Sequence, residues 1–428
     1  MSIERVAAAA GVVLLLCVTG RNTVHAQQTD KKARDSTLAV GLTAGESDGE
    51  PRRRQLINAL KLDLGFTTFR LGGGLLVDYI GYDQDSASRE QFHLASIGKL
   101  RDARFLLGGR FKVKRPLTWQ AGIMYDAVTK KWFVRQTGFM IAVPEIWSHF
   151  FIGRAKEGFS LNKVMNGYDG WTNERQTFTD ATIPLLADGI KWLGITPDRH
   201  WFWNLGMFTD AVSEGQTFSS YNNQFVLRAG WVPVTSDSMG TLLHIAMNFR
   251  AGDVNKDTMQ LRSRPEAFEA PYFIDTGKFP AQSASTWGPE IYYRPGRVLI
   301  GTEFYWQKIT SAETGNPLVH GGDFVVAWLT TGETRSYNEV GGYFRGISPK
   351  KTVIEGGPGA WEFLLRASYS ELTNKALDGG TFWRITSMIN WYLTDNVRLE
   401  FVHGTGRLKR FGLMGTTQFF QARIQTQL

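Results

Sequence analysis

The sequence predicts an all-β protein, a transmembrane antiparallel β-barrel of about 16 strands (roughly 14 to 18). Three observations carry that prediction. Ten or more stretches alternate apolar and polar residues over eight to twelve positions, the N-terminus reads as an export signal, and no later window approaches the ~20 apolar residues of a spanning helix. A strand with one face on hydrocarbon and the other on water needs a period of two, because successive side chains point to opposite sides. In Trp361-Glu362-Phe363-Leu364-Leu365-Arg366-Ala367-Ser368-Tyr369 the odd positions suit lipid, while three of the four even ones are polar. Ile385, Ile389, Trp391 and Leu393 repeat the pattern against Arg384, Thr386, Asn390 and Tyr392.

Residues 1–26 read as a signal peptide. Arg5 precedes an apolar stretch over residues 6–18, too short for a spanning helix, and Val24-His25-Ala26 offers small or short residues for cleavage before Gln27. Cys17, the only cysteine, lies inside this segment, and Leu14-Leu15-Leu16 lacks the small residue that precedes a lipidated cysteine. A chain cut there keeps 402 of 428 residues and a formal charge of +7 rather than +8, and contains no cysteine for disulfides or thiolate metal sites. Its 28 Phe, 14 Trp and 13 Tyr suit aromatic girdles at two membrane interfaces, and its length fits roughly 16 strands of about 10 residues better than 8. A soluble all-β sandwich is the alternative.

Residues 27–55 are polar and charged, close on Arg52-Arg53-Arg54 and show no strand or heptad pattern, so they read as a flexible lead-in to a barrel over 56–428. Alternation marks candidate strands at 60–66, 69–80, 105–114, 119–126, 150–154, 201–208, 225–231 and 243–250. Further candidates are 287–294, 298–307, 324–330, 340–347, 361–369, 383–393, 397–403 and 420–428. Turn residues separate most pairs, as in Arg294-Pro295-Gly296-Arg297 and Leu393-Thr394-Asp395-Asn396. Gly72-Gly73-Gly74 inside a strand marks a bend or a close approach of another backbone. Two long connections, 155–199 and 251–286, are expected to cap the outside or fold into the lumen.

Short motifs add a family resemblance across most of the chain. Ile152-Gly153-Arg154-Ala155-Lys156-Glu157-Gly158-Phe159-Ser160-Leu161 resembles a strand and turn of the phosphate-selective porin O and P family. Arg262-Ser263-Arg264-Pro265-Glu266, Asp275-Thr276-Gly277, and Glu290 and Glu303 on successive strands look like its loop and hairpin. Gly359-Ala360-Trp361-Glu362, Asn390-Trp391-Tyr392-Leu393 and Asn396-Val397-Arg398-Leu399 look like its last strands. The resemblance implies a 16-stranded outer-membrane porin, commonly a homotrimer, that passes small anions and in some members prefers phosphate or polyphosphate. Two positions depart from the pattern: Gly158 stands where the family usually has proline, and the chain ends in Leu428, where outer-membrane barrels often end in phenylalanine.

The polar faces carry the reading of selectivity. Arg110, Lys112 and Lys114 alternate with Phe111 and Val113, which predicts three cations in a row facing water. The same parity turns Arg228, Arg250, Arg294, Arg366, Arg384, Arg398 and Arg423 inward, together with Glu290, Glu303, Glu362 and Glu400. A basic excess in a narrow passage lowers the barrier for anions, and guanidinium groups match phosphate oxygens bidentately. For a single residue, solvation of a wide wall is the plainer role. The set is the signal.

Other classes fit less well. The pI near 9.4 suits nucleic-acid binding, but the basic residues are dispersed over alternating strands without a binding motif, so no nucleic-acid partner is expected. Arg52-Arg53-Arg54 meets solvent or lipid phosphate. For an outer-membrane enzyme, the chain after residue 26 offers His93, His149, His200, His244, His320 and His403, none in a recognisable catalytic or metal motif. A plugged 22-stranded transporter needs a larger N-terminal domain. A general porin, or a structural or adhesive barrel with a blocked lumen, shares the strand pattern. The expected protein is a porin for passive diffusion of small anions, with outer-membrane lipid around it and no cofactor or metal.

Overall fold

The computed structural model describes residues 61–127, 130–212, 220–236 and 240–427. The expected signal peptide, the lead-in at 27–55 and Leu428 lie outside the described residues. Within them, sixteen antiparallel strands close into a barrel. The first seven are β1 (Thr68–Gln84), β2 (Ile97–Phe111), β3 (Leu117–Asp126), β4 in two segments (Lys131–Val134 and Thr137–Val143), β5 (Ser148–Ala155), β6 (Ala187–Ile195) and β7 (Trp201–Thr209). The next five are β8 (Tyr221–Ser236), β9 (Thr241–Val254), β10 (Ser283–Pro295), β11 (Val298–Thr310) and β12 (Leu318–Leu329). The last four are β13 (Ala360–Asn374), β14 (Leu377–Tyr392), β15 (Val397–Arg410) and β16 (Leu413–Gln427). Each pairs with its neighbours in sequence, and β16 returns to β1 with Ala422 opposite Tyr79.

Alternation sets the two faces. Along β14, Arg384, Thr386, Met388 and Asn390 are buried on the inner side, while Ile385 is half exposed on the outer side. Closure removes both sheet edges, which is the condition for strands to stand in hydrocarbon. Tight turns finish most hairpins at one end, and the β13–β14 and β15–β16 hairpins at the other. Phe411 and Gly412 both take positive φ (58° and 72°) between β15 and β16, the two-residue geometry that follows the strand twist.

The expected count is right, but two of its elements are not wall strands and two wall strands are missing from it. The described part of the strand expected at 60–66 is no wall strand: only Lys61–Asp63 pairs, with the start of β1. Residues 340–347 are not a wall strand either. They belong to a connection, residues 330–359, in which Tyr337–Asn338 pairs with Tyr343–Phe344. Two wall strands replace them. β4 is broken at Arg135-Gln136, and β6 occupies part of the stretch expected as a loop at 155–199, so that loop runs only from 156 to 186. The connection expected at 251–286 is likewise shorter, 255–282.

Connections after odd-numbered strands include residues 85–96, 156–186 and 255–282, and those after even-numbered strands are short except 330–359. The longer set marks the extracellular end. Residues 85–96 carry a short helix α1 (Ser86–Gln91), with Asp85 accepting from Ser88 N at 2.7 Å. The loops at 156–186 and 255–282 enter the lumen from that end, and 330–359 enters from the periplasmic end. Their apolar residues build cores inside the barrel: Phe273 and Ile274 pack with Phe382 and Phe419, and Trp171 and Phe344 pack with Tyr292.

Candidate functional site: a lumen narrowed from both ends

The loop at 156–186 leaves β5 through Gly158. Its φ of +94° is closed to proline, and a Cβ there would lie 2.4 Å from the Asn204 side chain, so glycine at this departure from the family pattern has a local reason. The loop then forms α2 (Leu161–Val164), whose first backbone N–H groups need acceptors. Wall side chains supply them. Ser160 N donates to Asn248 Oδ1 at 2.8 Å, Leu161 N to Glu290 Oε2 at 2.7 Å and Asn162 N to Glu303 Oε1 at 2.8 Å. Glu290 also accepts from Arg228 at 2.7 Å and faces His244 Nε2 at 2.9 Å, and Glu303 accepts from the Tyr292 and Tyr305 hydroxyls at 2.8 and 3.0 Å. The turn motif and the two glutamates are therefore parts of one latch. Gly74 serves the same loop: a Cβ there would lie 2.5 Å from the Tyr168 ring. The glycine run thus marks close approach of a side chain at Gly74 and, as expected, of another backbone at Gly73, where a Cβ would lie 2.6 Å from the Arg104 carbonyl oxygen of β2.

Loop 255–282 carries the Arg262 to Glu266 motif inward. Arg366 pairs with Glu266, and Arg384 donates to the Pro265 and Glu266 carbonyls at 2.6 and 3.1 Å. From the other end, Arg335 of residues 330–359 reaches Glu362 at 2.7 Å, the Tyr392 hydroxyl at 3.2 Å and the carbonyl of Asp169 at 3.1 Å. Trp171 stands 5.5 Å from the Tyr292 ring and 6.2 Å from Phe344, so the two ends meet there.

The seven arginines that parity turned inward have such partners. Arg228 donates to Glu290 and to the carbonyls of Gly341 and Gly342. Arg250 lies 2.9 Å from Glu157, and Arg294 holds the Gly240 and Arg335 carbonyls. Arg366 and Arg384 hold loop 255–282, as above. Arg398 pairs with Glu400 and the Gly170 carbonyl, and Arg423 with Asp78 and Glu174. All seven are at most 8% exposed. They fasten loops instead of facing an open channel. Arg110 points inward at the periplasmic end of β2 and is half-buried. Lys112 and Lys114 lie beyond that strand, in the turn, and Lys112 pairs with Asp63 at 2.7 Å, so the three do not form one lumen stripe.

A group that sequence parity did not single out lies between β1–β5 and loop 156–186. Arg101 is held by Glu174 at 2.9 Å and lies 3.4 Å from the Phe268 ring centre; Arg104 is held by Asp102 at 2.8 Å. Arg175 donates to the Asn162 carbonyl at 2.9 Å, Lys156 to the Met165 carbonyl, and Arg135 leaves its Nε without a partner among the described residues. Arg104, Arg135, Lys156 and Arg175 lie within electrostatic reach of one another. Burial opposes the charge of Glu174, but Arg101 and Arg423 outweigh it and hold the carboxyl well below its usual range. Inward Arg70, Arg101, Arg110 and Gln120 on β1–β3 remain half-buried, whereas inward charged residues of β8–β13 are buried. Among the described residues, the solvent contact of inward charged side chains therefore lies on the β1–β3 side. Only Arg110 of the parity set belongs to it, because loop residues such as Lys156 and Arg175 have no strand parity to read. His244 faces Glu290 and Tyr337 in the latch, while His403 is exposed on the outer face of β15. Among the described residues no group of three or more His, Cys, Asp or Glu could hold a metal ion.

Comparison with known proteins agrees with this architecture. Solved structures with a similar fold include the anion-selective porin from Comamonas acidovorans (11% identity, TM-score 0.53, covering 85% of this chain and 100% of that one). The trimer form of in-vitro folded OmpT from Vibrio cholerae matches with 10% identity and TM-score 0.53 over 85% of this chain and 100% of that one. The outer-membrane channel DcaP of Acinetobacter baumannii matches with 6% identity and TM-score 0.53, covering 86% and 99%. At these identities the likeness is one of fold. A curated Caulobacter vibrioides protein of uncharacterized function is 26% identical over 260 residues, 57% of this chain, and the match spans about half (51%) of its length. The family model for phosphate-selective porins O and P matches residues 69–425, so the chain belongs to that family of outer-membrane porins.

Proposed function

We propose that this porin passes small anions by passive diffusion along the β1–β5 side of its lumen. The observation that carries the reading is the charge of that path. Half-buried Arg70, Arg101, Arg110 and Arg175 share it with the half-buried carboxylates of Asp126 and Glu174, an excess of cations. In a narrow, partly dehydrated passage such an excess favours anions and repels cations. Charged groups elsewhere in the barrel fasten the loops that set the bore. Phosphate or polyphosphate preference is supported by the family's name and by guanidinium groups suited to phosphate oxygens. A homotrimer in the outer membrane, exported with cleavage before Gln27, fits the family and the export signal. Transport rather than hydrolysis fits a lumen in which His244 is engaged by the Glu290 carboxylate and the Tyr337 hydroxyl.

Reversal potentials across a planar bilayer under a KCl gradient test this. Anion selectivity is expected, with chloride current reduced by added phosphate if the path binds it. A pore that prefers potassium overturns the anion reading and leaves the porin fold intact.

A further inference from the structure

Behind the latch of loop 156–186 runs a row of carboxylates. Glu290 on β10 stands directly opposite Glu303 on β11, and Glu303 directly opposite Asp323 on β12. Side chains so placed are only about 5 Å apart at Cβ. All three point into the lumen and are buried, Glu290 and Glu303 completely and Asp323 to 6% exposure. Like charges at this spacing repel, and without water between them the repulsion is strong.

The three are answered unequally. Glu290 meets Arg228 and His244. Glu303 has no cation, yet four neutral donors converge on it: the Ser160 hydroxyl, the Asn162 N–H and the hydroxyls of Tyr292 and Tyr305. That is a setting for an ionised carboxyl. Asp323 has no hydrogen-bond partner on either carboxyl oxygen among the described residues. The charged groups that face it are Glu303 from β11, Glu266 from loop 255–282 and Arg366 from β13. The cation among them is committed elsewhere, because Arg366 pairs with Glu266 and donates to the Glu174 carbonyl at 2.9 Å. An ionised Asp323 is a buried charge without a donor, beside two other carboxylates; a protonated one is neutral.

Asp323 also lies between the fastenings of both inward loops from the extracellular end. Across the β11–β12 ladder Glu303 holds the start of α2. On the other side Arg366, one diagonal step away on β13 where it stands opposite Val325, holds Glu266. A negative charge on Asp323 repels the first and competes with Glu266 for the second. Among the described residues the carboxylates form no group that could hold a metal ion, so the cation that matches one unpartnered carboxyl is a proton.

We propose that Asp323 is a proton-binding site that sets the bore: with its proton, Glu303 and Arg366 keep both loops seated; without it, the new charge loosens both and the channel widens. This rests on the porin reading above and adds the signal to which its loops respond. The test uses the full chain in lipid nanodiscs for hydrogen exchange and in planar bilayers for single-channel current, from pH 6 to pH 9. Wild type is compared with Asp323→Asn at each pH, so that the intrinsic exchange rate cancels. At pH 6 the two should agree. At pH 9 the amides of Leu161 and Asn162 should exchange faster in wild type, on the order of tenfold or more, and its unitary conductance should rise over the same interval. Asp323→Asn, which cannot ionise, should show neither step, and Asp323→Ser serves if heat-dependent gel mobility shows that Asn fails to fold. Lys163→Met should keep the exchange step, which separates it from titration of that lysine. Wild-type loops indifferent to pH, the same step in Asp323→Asn, or loops released at fixed pH when choline replaces sodium would each overturn the proton site. An exchange step without conductance at any pH would support the site and count against the porin reading alone.

Discussion

On β8–β13 the inward arginines Arg228, Arg250, Arg294 and Arg366 are at most 8% exposed, each against a carboxylate or a loop carbonyl; on β1–β2 the inward Arg70, Arg101 and Arg110 keep contact with solvent. The residue types are the same and their environments are not. A buried guanidinium has exchanged water for fixed partners, so its field is spent locally and its role is mechanical. One left half in water still acts on a passing ion. Exposure inside the lumen, more than charge count, separates the residues that hold the bore from those that choose the ion.

Four substitutions or titrations sharpen that difference. The largest effect is expected on the buried side. Arg366→Ala leaves Glu266 buried without its cation and should lower stability by about 3–5 kcal/mol, read as a shift in the denaturant midpoint, while the anion preference survives. Unchanged stability would mean that loop 255–282 is held by something else. On the wet side, Arg175→Glu at a half-buried position should cost less stability than Arg366→Ala and lower the anion-to-cation permeability ratio about tenfold, equivalent to ~1.4 kcal/mol, in reversal-potential measurements. An unaltered ratio would place the selective constriction elsewhere.

The third effect is smaller and depends on pH. Burial pushes the Lys163 ammonium in loop 156–186 down to about 8, below the ordinary lysine value, although Asp180 at 3.6 Å opposes the shift. It is charged below that pH and neutral above it. Anion preference should therefore be full at pH 7 and weaken as pH rises to 9, and Lys163→Met should remove this step; a pH-independent ratio in wild type counts against a place for Lys163 beside the ion path. The smallest effect is expected at the periplasmic rim. Arg110→Glu, Lys112→Glu and Lys114→Glu together should change the ratio less than about twofold at 0.1 M salt, where charges more than about 10 Å from the ion are largely screened. A reversal of selectivity would move the constriction to that rim.

The barrel itself was legible because lipid outside and water inside impose the same period of two on most strands. Where that contrast fails, so does the reading. β6 turns Leu193 and Ile195 inward onto the core that loops build in the lumen, so its second half is apolar on both faces, and β4 loses its period at Arg135-Gln136. Residues 340–347 err the other way: Val340, Phe344 and Ile347 are buried inside the lumen and give a connection the alternation of a strand. The total of 16 survived because two false strands offset two missed ones. The site was half legible. Parity put seven arginines on the correct side of the wall, but no local pattern reports that a loop far along the chain covers them. The motifs around Ser160, Glu290 and Glu303 held that information in a form that only folding joins.

Trp171 belongs to a loop that crosses to the cell exterior, and Phe344 to a connection that stays on the periplasmic side. During insertion these rings begin on the same side of the bilayer and must part before they can meet. Their contact can form only when both connections are in place, so the final bore records that both ends have arrived.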